Sequence, residues 1–326
     1  MTRRDLQTRT VALVVAAVAG VAALAIVVAG LGLGAPRPSL AFEGAWTTIE
    51  PAPIALTEVA VAAHNGRIWI AGGLRSDGSA TDEVFAYDPA SRRWTNAPRL
   101  PKPVHHAALV SDGAGLVLLG GYEAEGPTAA VSRLDEEAGA WADDVPLPAP
   151  RAAGAAAFDG GRVVFAGGVQ PGSTSREVFA LTDGEWTRIG HLTKAREHLA
   201  ATSDGDGRTF ILGGRVGGLG GNLGTVDLVE GETVAALGIL PTPRGGVGAF
   251  WWPSLGACLA GGESPGGTNA QVECIAADGT VLRLPDLEVA RHGVGAAVVE
   301  GTAYVVLGGR RPGLFTSDVT ETLALP

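Results

Sequence analysis

Positive charge is scarce in this sequence. Its 326 residues include 24 lysines and arginines against 34 aspartates and glutamates, which gives a formal net charge of −10 at pH 7. A protein that binds nucleic acid through its body needs a surplus of cations to neutralise the phosphates. The charge balance therefore argues against nucleic acid as a partner of the chain as a whole.

Short motifs of catalysis are also missing. The sequence has no Gly-x-Ser-x-Gly nucleophile elbow, no Cys-x-x-Cys pair, no His-Glu-x-x-His helix and no phosphate-binding loop. The glycine-rich segment 213–224 has neither the terminal Lys-Ser/Thr of a phosphate loop nor a helix after it, so we interpret it as a flexible loop. These patterns predict no cofactor, and an enzyme is kept only as an alternative.

Only two cysteines occur, Cys258 and Cys274, 16 residues apart. If their segments are neighbouring antiparallel strands, the two thiols lie within reach of a disulfide. A disulfide fits an oxidising compartment, and the alternative is a pair of buried free thiols. A catalytic thiol is disfavoured, because no histidine lies near either cysteine in the sequence.

One long segment without charge stands near the start, at residues 11–35. About 20 apolar residues suffice to cross a bilayer as a helix, and Arg3, Arg4 and Arg9 before it place residues 1–10 in the cytoplasm. We predict a retained signal-anchor at 11–35, a linker at 36–43, and a single-pass protein of the cell membrane. The alternative is a signal peptide cleaved near Ala41, which gives a secreted protein. Both alternatives export the rest of the chain.

A run of four apolar residues followed by two glycines is written six times. It reads IWIAGG, LVLLGG, VVFAGG, TFILGG, ACLAGG and YVVLGG, and the first glycines are separated by 48, 47, 46, 48 and 47 residues. A period this regular identifies a repeat protein. We expect the glycines to permit close backbone approach where the repeats converge, because a side chain there would collide with its neighbour.

Each period contains four strand patterns with turn signals between them. In residues 57–102 these are EVAVAAH, an Asn-Gly turn, RIWIAGG, then EVFAYD and RWTNAP. Four antiparallel strands in about 47 residues indicate a β-propeller blade. The last repeat has no fourth strand, and residues 45–50 precede the first, so this N-terminal strand is predicted to complete the sixth blade. The predicted fold is an all-β, six-bladed propeller over residues 44–326, preceded by the one helix.

These features resemble the kelch-repeat family over residues 45–326. The glycine doublets carry the resemblance, together with a tryptophan that opens the fourth strand, namely Trp94, Trp141 and Trp186. The fourth and fifth repeats lack this tryptophan, and the WD dipeptide of another propeller family is absent. The resemblance implies a recognition module rather than an identified site.

Arginine recurs at the start of the first strand. The six equivalent positions are Leu56, Val104, Arg151, Arg196, Arg244 and Arg291. Some kelch propellers bind acidic peptides through arginines at this position, so the resemblance implies an arginine rim that contacts a protein or carbohydrate ligand, such as an acidic one. With the loops that follow the glycines, the predicted rim consists of Arg75, Arg151, Arg196, Arg215, Arg244 and Arg291. The alternative is that these arginines donate hydrogen bonds to backbone carbonyls of neighbouring blades and tie the ring together.

Histidines gather near the same side of the predicted propeller, at His105, His106, His198 and His292. They come from blades 2, 4 and 6, so we expect the intervening blades to keep them apart, and we predict no metal site. The copper-radical oxidases of this fold need a cysteine-modified tyrosine that these repeats do not supply. The enzyme alternative is a sugar-modifying activity of the epimerase or mutarotase kind, with His106, His198 and Glu58 as acid–base residues. It requires a deep axial pocket, and a structural scaffold is the third hypothesis.

Overall fold

The computed structural model describes residues 44–326, which form an all-β propeller of six four-stranded antiparallel sheets. The predicted segments 1–10, 11–35 and 36–43 lie outside the described residues. Within 44–326, no helix has the length and apolar character needed to cross a membrane.

Each blade runs from an inner strand at the axis to an outer strand at the periphery. Blade 1 consists of Ala60–His64, Arg67–Ala71, Val84–Asp88 and Arg93–Asn96. Blade 2 consists of Ala108–Ser111, Leu116–Leu119, Val131–Asp135 and Ala140–Asp143. Blade 3 consists of Ala155–Phe158, Val163–Ala166, Glu177–Thr182 and Glu185–His191.

The remaining three blades repeat this order. Blade 4 consists of Ala200–Ser203, Arg208–Leu212, Thr225–Glu230 and Thr233–Ile239. Blade 5 consists of Gly248–Trp252, Gly256–Ala260, Val272–Ile275 and Val281–Leu284. Blade 6 consists of Gly295–Val299, Thr302–Val306, Thr320–Ala324 and the N-terminal strand Thr47–Thr48.

The loops between the second and third strands contain short secondary-structure elements. Three are two-residue hairpins, formed by Tyr122–Glu123 with Gly126–Pro127, Val169–Gln170 with Ser173–Thr174, and Glu263–Ser264 with Gly267–Thr268. In blade 4 the loop contains a single 3₁₀ turn, Leu219–Gly221. These loops follow the glycine doublets, so they all lie on one face of the disk.

Small residues make the inner strands narrow enough to meet around the axis. The inner strand of blade 1 reads AVAAH, and that of blade 6 reads GAAVV. These strands line an axial channel of about 110 Å³. The second strands carry the large apolar side chains instead, and Leu116–Leu119 is buried along its whole length.

The glycine doublets stand where one blade meets the next, as the sequence predicts. The first glycine of the doublet in blade 2, Gly120, has φ +61°, and a Cβ built on it would lie 2.3 Å from the carbonyl oxygen of Arg151. The second glycine, Gly121, donates its N–H to that same oxygen at 2.7 Å. A side chain at Gly120 would therefore separate the two blades and break the hydrogen bond between them.

Tryptophans of the outer strands bond the neighbouring blade. The indole Nε1 of Trp141 donates to the carbonyl of Pro98 at 2.8 Å, and that of Trp186 donates to Val145 at 3.2 Å. Trp46 makes the same contact with Pro285, at 3.0 Å. The repeated tryptophan is therefore a contact between blades, and Trp46 extends this series to the N-terminal strand.

The sixth sheet contains both ends of the described chain. Thr47 and Thr48 pair with Thr322 and Glu321, so the N-terminal strand lies outside the last strand of the protein. This arrangement joins blade 6 to blade 1 and covers the outer edge of the last strand of the chain. The two cysteines are cross-strand partners in blade 5, and Cys258 and Cys274 form a disulfide that is fully buried.

Candidate functional site

Four arginines of the predicted rim lie inside the blades. Arg151, Arg196, Arg244 and Arg291 are each at most 1% exposed. Each forms an ion pair with an acidic residue in the third strand of its own blade, and the partners are Glu177, Asp227, Glu273 and Glu321. The structure corrects the predicted placement, because these guanidinium groups are used within the fold and present no surface to a ligand.

The backbone carbonyls of the second strand complete this arrangement. Arg244 donates to the carbonyls of Gly261 and Leu259 at 2.7 and 2.9 Å, in addition to Glu273 at 2.7 Å. Burial opposes the charge and lowers the pKa of Arg244, while the hydrogen bond and charge of Glu273 raise it. These contacts join three strands of one blade, whereas the sequence-based alternative expected contacts to the carbonyls of other blades.

The other two arginines of the predicted rim remain near the loop-bearing face but are paired. Arg75 is 40% exposed in its side chain and contacts Glu83 at 2.7 Å. Arg215 is 12% exposed and contacts both Glu197, at 3.0 Å, and Glu263, at 2.5 Å. Both guanidinium groups are therefore neutralised by carboxylates of the same face.

A closed ring of six residues surrounds the axis just above the inner strands. Each donates its backbone N–H to the carbonyl of the equivalent residue in the preceding blade, at 2.7 to 3.1 Å, and the sixth closes onto the first. All six have φ between +51° and +66°. The ring consists of Glu58, His106, Ala153, His198, Gly246 and Gly293.

Three side chains of this ring converge, and we call Glu58, His106 and His198 the axial cluster. The Nε2 atoms of the two histidines are 2.9 Å apart. Glu58 Oε2 lies 3.2 Å from His106 Nε2. The expectation that an intervening blade keeps the imidazoles of blades 2 and 4 apart is wrong, because the ring is narrow enough for them to touch across the axis.

Polar side chains surround the axial cluster and fix its orientation. His198 Nδ1 contacts Glu197 Oε2, and Glu197 is held from its other oxygen by Arg215. His106 Nδ1 lies 2.5 Å from His105 Nδ1, and the His105 ring stacks on Tyr122 with centroids 5.2 Å apart.

His292 belongs to a different set of contacts. Its two ring nitrogens each lie 3.1 Å from a backbone carbonyl, of Gly309 and Gly313, so neither nitrogen points freely into the axial cluster. Glu58 Oε1 and Glu263 Oε2 lie 3.8 and 3.9 Å from His292 Nε2.

Burial dominates the electrostatics of the axial cluster. It lowers the pKa of His106 to about 3, with the charges of Arg215 and His292 acting in the same direction. It also lowers the pKa of His198 well below its ordinary value and raises that of Glu58. Both imidazoles are therefore neutral near pH 7, which is the form that offers lone pairs to a cation or a proton donor.

The space beside the axial cluster is small. Glu58, His106 and His198 open onto a cavity of about 60 Å³, whereas pockets for organic ligands usually measure about 300–1,000 Å³. The enzyme alternative required a deep axial pocket with convergent arginine, histidine and glutamate side chains. The convergent side chains are present, but the cavity has room for little more than an ion and water.

A cleft of about 470 Å³ lies between blades 1 and 2, away from the axis. Glu123, Asp143 and Asp144 line it, and its one lysine, Lys102, contacts Glu123 at 2.7 Å. The net negative charge of this cleft disfavours an acidic ligand there.

Exposed apolar side chains occur beside the axis in residues 310–316, which we call the blade-6 loop. Leu314 and Phe315 are 55% and 49% exposed, and the guanidinium of Arg311 lies 5.6 Å above the Phe315 ring. Within the described part of the chain, neither Arg310 nor Arg311 is ion-paired with a carboxylate. The carbonyl of Gly313 contacts His292, which places this loop next to the axial cluster.

Comparisons with known proteins agree with the architecture. A family model described as Kelch motif matches residues 55–101. The chain is 27% identical over 298 residues to Kelch-like protein terF of Aspergillus terreus, a match that covers 87% of this chain and 56% of that protein. It is 43% identical over 47 residues to human Kelch-like protein 24, covering 14% of this chain and 8% of that one.

A solved structure shares the same fold. The structure of YjhT superposes with a TM-score of 0.71 and 14% sequence identity, covering 83% of this chain and 95% of the other. At this identity the likeness concerns the fold alone. This chain spans little more than half of the length of the fungal relative, so what the whole relative does is not transferred to it.

Proposed function

Because this chain belongs to the kelch-repeat β-propeller family, we propose that it is a recognition module that binds an acidic segment of another protein on its loop-bearing face. Kelch propellers are generally protein-interaction modules. The binding surface proposed here is the blade-6 loop, with Arg310, Arg311, Leu314 and Phe315 as its contacts. It replaces the buried arginines of the predicted rim as the candidate surface.

The observation that carries this proposal is the pairing state of the arginines. On a chain with a net charge of −10, the rim arginines are all engaged by carboxylates. Arg310 and Arg311 are exposed and are not ion-paired within residues 44–326. They stand beside two large exposed apolar side chains, an arrangement typical of an interface with an aromatic anchor and a charged border. An acidic segment with apolar residues complements both features.

A displayed library of random peptides tests this proposal with a defined probe. We expect the full-length protein to enrich peptides that combine aspartate or glutamate with leucine or phenylalanine. The double variant Arg310→Ala/Arg311→Ala should weaken binding of the selected peptides by at least about tenfold, because two charge-assisted contacts are lost. Phe315→Ala should weaken it by a similar factor, because it removes the anchor. Affinities are measured by titration at two salt concentrations.

The control is Arg92→Ala/Arg93→Ala, which removes two exposed arginines at the outer hairpin of blade 1, one of them, Arg92, ion-paired with Glu50 at 2.9 Å. It should leave peptide binding unchanged. No enrichment of acidic peptides, or equal losses in both double variants, would reject the blade-6 loop as the binding surface. If the protein instead bound glycans on an array, the ligand would be a carbohydrate rather than an acidic protein segment.

We also propose that the propeller is located on the extracytoplasmic side, held by the predicted anchor at 11–35. The buried disulfide between Cys258 and Cys274 supports this location, because such bonds persist in oxidising compartments. The arginines at positions 3, 4 and 9 support the same orientation.

A C-terminal fusion to alkaline phosphatase, which is active only after export, measures this location. We expect strong phosphatase activity from the full chain and loss of nearly all of it when residues 11–35 are deleted. The N-terminal sequence of the product then separates a retained anchor from cleavage near Ala41. The export proposal would be contradicted if the phosphatase fusion were inactive while the same chain fused to a fluorescent protein that works only in the cytoplasm were fluorescent.

A further inference from the structure

We propose that Glu58, His106 and His198 form a binding site for a divalent transition-metal ion on the propeller axis. The three side chains supply two imidazole nitrogens and one carboxylate oxygen, all within 4.8 Å of one another. This inference is independent of the protein-recognition proposal, because it concerns partly buried side chains of the ring rather than the blade-6 loop.

The distances between the donor atoms fit a metal ion with little rearrangement. Nitrogens about 2.0–2.1 Å from a tetrahedral metal ion lie roughly 3.3 Å from each other. The observed separations are 2.9 Å between the two Nε2 atoms and 3.2 Å from His106 Nε2 to Glu58 Oε2. For these two pairs, movements of a few tenths of an ångström are enough to admit the ion, and the third pair, Glu58 with His198, lies within 4.8 Å.

The polar side chains behind the two histidines direct both lone pairs to the same point. His198 Nδ1 faces the Glu197 carboxylate, which can only accept, so the ring carries its proton there and leaves Nε2 unprotonated. A carboxylate behind a metal-binding histidine orients the ring and raises its basicity. With a metal ion bound, His106 carries its proton on Nδ1, where His105 Nδ1 accepts it.

The backbone of the axial cluster points to the same conclusion. Glu58, His106 and His198 have φ of +52°, +54° and +53°, a conformation that costs a non-glycine residue about 1–3 kcal/mol and persists only where the surrounding structure imposes it, as the ring also does at Ala153. The chain itself has glycine at two equivalent ring positions, Gly246 and Gly293. Large side chains are therefore not needed to close the ring, and their presence in blades 1, 2 and 4 calls for another reason.

The ligand set defines the class of metal. Two neutral imidazoles with one carboxylate suit zinc or ferrous iron and are poor ligands for calcium or magnesium, which prefer oxygen only. Three protein ligands leave at least one coordination position open. The adjacent cavity of about 60 Å³ has space for water at that position.

Cobalt and zinc are the probes for this site. The untagged full-length chain, purified in detergent and stripped with a chelator, is titrated with Co²⁺ while visible absorption is followed, and then with Zn²⁺ in competition. We expect one Co²⁺ per chain with an absorption spectrum of low coordination number, displaced by one equivalent of Zn²⁺. The double variant His106→Gly/His198→Gly should lose the spectrum. It should fold, because glycine is the residue that the chain already uses at this position in two blades.

Two further variants separate a metal site from adventitious binding. Glu197→Gln should weaken zinc binding by about 10- to 100-fold while the stoichiometry stays at one, the effect expected for a residue that orients a ligand. His191→Ala, which removes an exposed histidine of blade 3, should change nothing. The proposal is overturned if the folded double glycine variant binds Co²⁺ as the native chain does, or if the native chain binds no ion.

Discussion

Replacing Glu321 with alanine should lower the free energy of unfolding by about 3–5 kcal/mol, because the change leaves the charge of Arg291 buried without its partner. Both side chains are fully buried and form an ion pair. Glu321 also accepts hydrogen bonds from the backbone N–H groups of Glu288 and Val289, which would lose their acceptor. Urea denaturation followed by tryptophan fluorescence measures the change.

Two comparison variants decide whether the loss arises from the uncompensated charge. Asp286→Ala removes the partner of Arg283 in an exposed ion pair and should cost at most about 1 kcal/mol. The double change Arg291→Met/Glu321→Leu removes both buried charges and should recover most of the stability lost in Glu321→Ala. A loss of less than about 1 kcal/mol in Glu321→Ala would show that the pair is not a structural element of the blade.

The repeat spacing correctly placed these arginines at equivalent positions of four blades. It did not predict where their side chains point. That direction depends on the acid of the third strand, which stands 26 to 31 residues later in blades 3 to 6. The two residues become neighbours only when the sheet forms. A search for an acid at this spacing would have favoured the ion pairs, because every blade that has the arginine also has the acid.

The propeller itself could be predicted because it follows from local rules. A period of about 47 residues, glycine doublets and hairpin turns are each visible without tertiary information. The doublets predict a close approach between backbones, and the structure shows it at Gly120, which lies beside the Arg151 carbonyl.

The axial cluster could not be predicted in the same way. Positive φ is uncommon for any non-glycine residue, even for histidine, which adopts it more often than most, so the sequence of one repeat does not mark Glu58, His106 or His198 as members of a ring. Their convergence depends on the circumference of the ring, which is fixed by six blades closing together. The sequence did indicate that the histidines share one face, but it could not give the distance across the axis.

Replacing Trp46 with alanine should lower the free energy of unfolding by about 3–5 kcal/mol, the usual cost of truncating a buried tryptophan. Trp46 is 2% exposed and packs among apolar residues of blades 5 and 6, including Phe250 and Leu323. Its strand contributes only Thr47 and Thr48 to the sheet, so the indole adds apolar packing to an attachment made otherwise of a few hydrogen bonds. Urea denaturation with circular dichroism measures the effect without relying on the fluorescence of the residue removed.

Trp94 provides the internal reference for this change, because it occupies the same position in blade 1 but is only partly buried. Trp94→Ala should cost less than Trp46→Ala. Trp46→Phe keeps most of the packing and removes the hydrogen bond to Pro285, so it should cost about 1 kcal/mol. If Trp46→Ala were no more damaging than Trp94→Ala, ring closure would not depend on this side chain. The expected order instead follows from topology: the other outer strands are joined to their sheets by hairpins, whereas the strand of Trp46 reaches its sheet only through pairing and packing with the far end of the chain.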